Sequence, residues 1–307
     1  MRFELTTLGT GAALPARGRY PTAQLLNVGE RLYLIDCGEG TQERLRTVGA
    51  NFNRISRVLI SHLHGDHYLG LMGLISSMHL MGRRTELHVY GPPELGDIVH
   101  MQLKASGTWL RYPLHLHHTR PESGAEVFTD DRVQVTALAL KHRIPCTGFV
   151  FREHPRPRPL LRDQVHRIPH FQRNAVKAGE DLHLEDGTVV PNAELTQDPP
   201  AQRAYAYCSD TAYDPGLVQY LRGVDLLYHE ATFTEQLSAR ARETMHATGR
   251  QAGLIAREAG VGTLLLGHFS SRYKSEEPLL REAREVFPNT LAASEGALFP
   301  VGPRSMV

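Results

Sequence analysis

Strong bias of any single kind is missing from this chain, and each shortage removes a class of function. Its 34 Lys and Arg against 33 Asp and Glu give a formal net charge of +1, so no global basic signal points to nucleic acid. Any such signal must be local. There are only three cysteines, Cys37, Cys146 and Cys208, far apart and with no CxxC pair. An odd number closes no disulfide framework, and a thiolate zinc site lacks its ligands. A reducing, cytoplasmic compartment is the expectation. No apolar run approaches the roughly 20 residues that span a bilayer, and MRFELTTLGTG has neither the basic start nor the apolar stretch of a signal peptide. No membrane partner is expected. The glycines of LGTGAAL form neither GxGxxG nor GxxxxGK[ST], so they read as turns, and no organic cofactor is expected.

What the 307 residues do have is an ordinary apolar share of 41%, enough for a sizeable core, and seventeen histidines. Most of those histidines need no special explanation. A few fall where chains do chemistry. Short apolar strands recur, each stopping at a polar cluster: 31–35 at Asp36-Cys37-Gly38-Glu39-Gly40, 57–60 at Ser61, 132–140 at Lys141-His142, 205–208 at Ser209-Asp210-Thr211, 226–228 at His229-Glu230, and 263–266 at Gly267-His268. Helices are expected at 41–49, 71–78, from Pro93 to about Gly107, and at 249–259. The last opens on a capping box of Thr248 and Gln251. Phe269 and Trp109 read as packing residues.

Residues 61–67 read SHLHGDH. His62, His64, Asp66 and His67 follow an apolar strand directly, and Gly65 lets the chain curl between them. Imidazole with carboxylate suits zinc or another borderline cation, and calcium is a poor match for so much nitrogen. Four neighbours cannot all wrap one ion, so other strand ends should contribute. His142, Asp210 and His268 are placed to do so. We assign His62, His64 and His142 to one ion and Asp66, His67 and His268 to a second, with Asp210 bridging. A bridging carboxylate holds two cations close enough to activate one water between them.

These residues make the chain resemble the metallo-β-lactamase superfamily, and more closely its tRNase Z family. The resemblance rests on LGTGAALP (8–15), DCGEGTQ (36–42), ISHLHGDHYLGLMGL (60–74), YGPPEL (90–95), Lys141-His142, Ser209-Asp210-Thr211, HEATF (229–233), His246 with Thr248, and GHFSSRY (267–273). HxHxDH alone marks the superfamily, whereas HEATF with GHFSSRY is more specific. The resemblance implies an α/β fold, the αββα four-layer sandwich, as one domain over 1–307 with a protruding basic arm inserted at 152–200. It implies the same seven ligands, two zinc ions per subunit with manganese able to serve, and a homodimer acting on precursor tRNA. The implied reaction removes the 3′ trailer, leaving a 3′-hydroxyl on the tRNA and a 5′-phosphate on the trailer. Asp66 would orient the nucleophile or take its proton. Glu230 would hold His246 protonated and aimed at the leaving oxygen. Asp36 and Glu39 would support the ligands from behind. Arg272 would hold a substrate phosphate, with Ser270 and Tyr273 supporting its loop.

From Arg152 to Lys177 the chain is locally basic: Arg152, Arg156, Arg158, Arg162, Arg167, Arg173 and Lys177 face only Glu153 and Asp163. All but Arg152 are our candidate tRNA contacts, because such a patch positions a phosphate backbone without reading its sequence. Scattered prolines and few core formers mark the segment as an excursion from the main core. The glycine- and proline-rich tip expected of the family's arm is replaced by RIPHFQRNAVKAG (167–179). Competing readings are a phosphodiesterase for small or other RNA substrates, a lactamase or thioester hydrolase, and a non-catalytic RNA-binding protein. Asp66 beside His67 and the basic segment argue against a lactamase, and the filled ligand positions argue against a vestigial site.

Overall fold

The computed structural model describes residues 2–302. In chain order its strands are β1 (Phe3–Gly9), β2 (Ala23–Val28), β3 (Arg31–Cys37), β4 (Ile55–Leu59), β5 (Leu87–Gly91), β6 (Leu114–His118), β7 (Glu126–Thr129), β8 (Val133–Leu140), β9 (Cys146–Glu153), β10 (Leu182–His183), β11 (Val189–Val190), β12 (Ala204–Cys208), β13 (Leu226–Glu230), β14 (Thr263–Gly267), β15 (Thr290–Ala292) and β16 (Leu298–Pro300). Two seven-stranded sheets result, ordered β16-β1-β2-β3-β4-β5-β6 and β15-β14-β13-β12-β9-β8-β7.

The strands are apolar on both faces because both faces are covered. Side chains alternate along each strand. In β3, Tyr33 and Ile35 enter the layer between the sheets, while Leu32 and Leu34 face the outer helices. In β12 the same alternation sorts by size: Tyr205 and Tyr207 point inward, and Ala204, Ala206 and Cys208 point outward. Helices Leu71–Leu80 and Pro93–Ala105 cover the first sheet. Helices Gly249–Ala259 and Glu277–Arg284 cover the second. This is the four-layer αββα sandwich. Each fully buried Leu or Phe in these layers contributes about 1.5–3 kcal/mol.

Local rules explain the boundaries. Thr248 caps helix Gly249–Ala259 with the full capping box, and Gly260 ends it at φ 62°. At the end of β14 a Cβ on Gly267 would lie 2.2 Å from the Tyr228 hydroxyl, so only glycine fits there. Strand β2, edge strand β6 and helix Glu277–Arg284 were not expected from the sequence. Trp109 corrects another expectation: it is 89% exposed and packs no core, whereas Phe269 is buried. The three cysteines are free and buried. Among the described residues no helix is long and apolar enough to cross a membrane.

Glu153–Gln202 forms a compact unit of its own. Few core formers are evident in its sequence, yet Ile168, Val176, Leu182, Val190 and Leu195 bury one another. Buried Asn192 ties them together, donating from its amide nitrogen to the carbonyls of Val176 (2.7 Å) and Glu180 (2.8 Å). The LEDGTVVP turn closes the β10–β11 hairpin, with Gly187 at φ 84°. The chain leaves the second sheet at the end of β9 and rejoins it at Ala204, whose direct partner across β9 and β12 is Arg152.

Candidate metal centre

Parallel pairing sets the site. β3, β4 and β5 run together in one sheet, and β12, β13 and β14 in the other, so their polar ends emerge on common rims. The seven candidate ligands stand after the ends of β4, β8, β12 and β14. Asp36, Asp210 and His268 all adopt left-handed backbone, with φ of 55°, 55° and 56°. Such conformations cost about 1–3 kcal/mol each and persist where the surroundings impose them. Here those conformations bring Asp210 and His268 into the donor cluster and set Asp36 against the back of His67.

Two donor groups form there. In the first, His62 Nε2 lies 2.9 Å from His64 Nδ1, and His142 Nε2 lies 3.1 Å from that same atom. Asp210 Oδ2 completes it at 3.7 Å from both His62 Nε2 and His142 Nε2. In the second, Asp66 Oδ2 stands 3.5 Å from His67 Nε2 and 3.6 Å from His268 Nε2. Asp210 Oδ1 joins it at 3.3 Å from His67 Nε2 and 3.0 Å from His268 Nε2. The two carboxylate oxygens of Asp210 thus face different groups. Ligands about 2.0–2.1 Å from a tetrahedral zinc ion are separated by roughly 3.3 Å, and the distances just given lie around that value in both groups.

The surroundings aim the rings. His67 Nδ1 lies 2.7 Å from Asp36 Oδ2, His142 Nδ1 lies 3.2 Å from the Met245 carbonyl, and His268 Nδ1 lies 3.0 Å from Thr232 Oγ1. A proton on each Nδ1 leaves Nε2 free to ligate. His67 Nε2 and His268 Nε2 are buried without a hydrogen-bond partner, which a cation would supply. Asp36 is itself held by the Ser61 amide (2.7 Å), the Ser61 hydroxyl (2.9 Å) and the Tyr207 hydroxyl (2.5 Å).

Charge follows the same logic. Burial, then the His67 charge, pushes His62 down to about 2, and burial lowers His64 and His142 as well. These rings stay neutral, as ligands must. Burial opposes charge on His67 too, but Asp210 and Asp36 outweigh it and raise His67 well above the usual range. The carboxylates therefore demand positive charge at this spot.

Beside the cluster, Glu230 is fully buried and fully bonded. It accepts from the Thr211 amide (2.6 Å), the Ala247 amide (3.1 Å), the Thr232 hydroxyl (2.6 Å) and His246 Nδ1 (2.8 Å). Burial disfavours charge on His246, yet the Glu230 carboxylate prevails and raises it to about 9. An open cavity of about 510 Å³ exposes His64, Asp66, Asp210, His246 and His268 together. Its wall carries Glu39, Arg272 and two residues sequence reasoning missed, Arg143 and Arg240. Arg143 directly follows His142, and that adjacency was a usable signal. Arg240 comes from helix Ser238–Thr244, where nothing in the sequence betrays it. Arg272 lies over the Phe233 ring at 4.9 Å, and the Tyr273 hydroxyl accepts from the Thr234 amide at 2.9 Å.

In the unit Glu153–Gln202 the candidate tRNA contacts divide. Arg156 binds Glu153 at 2.9 Å, and Arg158 donates to Thr196 (2.8 Å) and Asp198 (2.9 Å). Arg173 donates to the carbonyls of Ile168 (3.3 Å) and Val165 (3.4 Å). These three hold their own unit together. Arg162 and Arg167 are exposed, Arg167 bonding only its neighbour Gln164 at 2.7 Å, and Lys177 is half-buried.

Known proteins share both sequence and fold. The chain is 46% identical over 296 residues to ribonuclease Z of Bacteroides fragilis, a match covering 96% of this chain and 97% of that one. It is 42% identical over 306 residues to ribonuclease Z of Cytophaga hutchinsonii, covering 99% and 98%. Human tRNase Z, short form, superposes with a TM-score of 0.69 at 25% identity over 96% of this chain and 98% of that one. The family model for Anti-Pycsar protein Apyc1 matches residues 3–119. With near-complete coverage at such identity, the chain belongs to the ribonuclease Z family of metal-dependent endonucleases on the metallo-β-lactamase fold.

Proposed function

We propose that this enzyme removes the 3′ trailer of precursor tRNA by hydrolysing one phosphodiester, with two zinc ions held by His62, His64, His142, Asp66, His67, His268 and the bridging Asp210. The observation that carries the reading is the pair of donor groups, His62, His64, His142 and Asp210 in one and Asp66, His67 and His268 in the other, with Asp210 reaching both, beside a cavity lined by Arg143, Arg240 and Arg272. Held by these residues, such cations would neutralise phosphate oxygens, activate a water and stabilise the departing oxygen. Manganese suits the same donors.

The chain's own groups do the rest. Asp66 Oδ2 accepts from the Ala13 amide at 2.8 Å, which fixes the carboxylate that orients the attacking water. His246, held protonated by Glu230, delivers a proton to the ribose 3′ oxygen as it leaves. Arg143, Arg240 and Arg272 place positive charge where flanking phosphates pass. The test is cleavage of a 3′-extended precursor tRNA by metal-quantified protein, with product ends mapped. A 3′-hydroxyl on the tRNA and a 5′-phosphate on the trailer are expected; the reverse polarity, or no cleavage, would remove the reading.

The unit Glu153–Gln202 serves as the tRNA arm through its exposed basic residues. The double substitution Arg162→Ala and Arg167→Ala is expected to weaken precursor binding and reduce its log–log salt slope by about 2. Turnover of bis(p-nitrophenyl) phosphate should stay unchanged. Equal losses on both substrates would make the segment a structural support. A homodimer is the proposed assembly. Leu80, Met81, Met101 and Trp109 are 66–89% exposed, large apolar side chains that a second copy could cover. The buried free thiols fit a cytoplasmic enzyme.

A further inference from the structure

A second group of nitrogen and oxygen donors lies outside the catalytic cavity, on the first sheet. β5 and β6 pair in parallel with His88 opposite His115 and Tyr90 opposite His117. That register stacks the His88 and His115 rings, centroids 4.7 Å apart and planes 21° from parallel. Glu86, just before β5, reaches both. Its Oε1 lies 3.4 Å from His88 Nε2, and its Oε2 lies 3.5 Å from His115 Nε2. One donor atom from each of the three lies within 4.8 Å of the others. None of these residues lines the catalytic cavity.

The support behind the rings makes the group more than a surface ion pair. His88 Nδ1 lies 2.9 Å from His117 Nε2. His117 is itself stacked on Tyr90, centroids 4.4 Å apart. Burial, and then the charges of His88 and His115, hold His117 below its ordinary value. With Nδ1 engaged by His117, the His88 ring turns Nε2 toward the Glu86 carboxylate. A cation placed between them would meet one donor atom from each of Glu86, His88 and His115. Protonating both stacked rings would place like charges face to face. The nearby guanidinium of Arg57 does not fill the gap, for it binds Asp130 at 2.9 Å and lies over the Phe128 ring.

We propose that Glu86, His88 and His115 form a separate surface site for a divalent transition-metal ion, with His117 orienting the His88 ring from behind. Two imidazoles and one carboxylate are a donor set of the zinc and nickel kind, leaving further positions to water. The carboxylate–imidazole separations match the edge of a tetrahedral zinc site. The exposed Glu86 side chain, 62% accessible, can close on the ion. His88 and His115 come from neighbouring strands, and β6 is the edge of its sheet. A metal bound here would clip the edge strand to β5.

Zinc counting tests this without reference to how many ions the catalytic cluster takes. Metal-quantified holoenzyme is dialysed against rising free Zn²⁺, and bound zinc per chain is compared between the wild type and the His88→Ala/His115→Ala double variant. The variant should saturate one equivalent below the wild type, with precursor tRNA cleavage intact. Glu86→Gln should keep that equivalent and loosen it about tenfold or more. His115→Asn, at a position 45% accessible, serves if the double variant folds poorly, and it too should lose the equivalent. Equal saturation and equal affinity in the wild type and the histidine variants would overturn the proposal.

Discussion

Asp210→Asn is expected to cut precursor tRNA cleavage about a thousandfold or more while leaving tRNA binding within a few-fold of the wild type. Asp210 is the residue whose two oxygens face both donor groups, 3.7 Å from His62 and His142 on one side and 3.0 Å from His268 on the other. The amide keeps the shape and loses the charge. It also turns an NH₂ toward one of the two groups. Charge stabilisation at such a centre is worth several kcal/mol, and about 4 kcal/mol corresponds to about three decades of rate. Bound metal per chain should fall alongside kcat. Single-turnover cleavage with metal quantification is the measurement. A variant that turns over within tenfold of the wild type with its metal intact would strip Asp210 of the bridging role.

His246→Ala and Glu230→Gln should separate proton delivery from everything else. Positioned general acids contribute about 10²–10⁴-fold, so precursor tRNA, with its poor ribose leaving group, should lose rate in that range when His246 is removed. A p-nitrophenyl ester needs little protonation and should lose far less. The pH dependence follows from the shift. His246 is raised to about 9, so its proton is present below that pH and is lost as pH rises through it. Cleavage of precursor tRNA should therefore fall on an alkaline limb near pH 9. Glu230→Gln removes the carboxylate that raises His246, so the limb should move down toward the usual histidine value of about 6.5. Equal losses on both esters, or a limb unmoved by Glu230→Gln, would assign the pair a structural role.

The sites that were readable from the sequence were those where chemistry restricts residue type. Metal donors must be His or Asp, and they stand out against the apolar strands they follow, as His62, His142, Asp210 and His268 do. Covered on both faces, β3, β12 and β14 read as plain apolar runs. Other features depend on partners distant in sequence. The short strand β2, although followed by the tight Gly29-Glu30 turn into β3, ends in no polar cluster of the kind that marked the others. Asp36 was placed behind the ligands by resemblance, but that it holds His67 follows from β3 lying beside β4. Arg240 reaches the cavity through the path of its helix, and the stacking of His88 on His115 needs the register of β5 against β6. The arm's core escaped notice because its five apolar residues are spread among prolines and charges with no periodicity. Arg156 and Arg158 looked like free charge because Glu153, Thr196 and Asp198 are their partners only after folding.

The direct pairing of Arg152 with Ala204 has a consequence for the lineage of this enzyme. The whole stretch between them enters and leaves through one rung of the ladder, so to the sheet it is a hairpin loop whose length is free. Lengthening such a loop adds closure entropy only logarithmically, and the stretch brings its own core with it. Ancestors and descendants can therefore exchange, enlarge or delete this module without rethreading a single strand, and the hydrolytic machinery is spared each experiment.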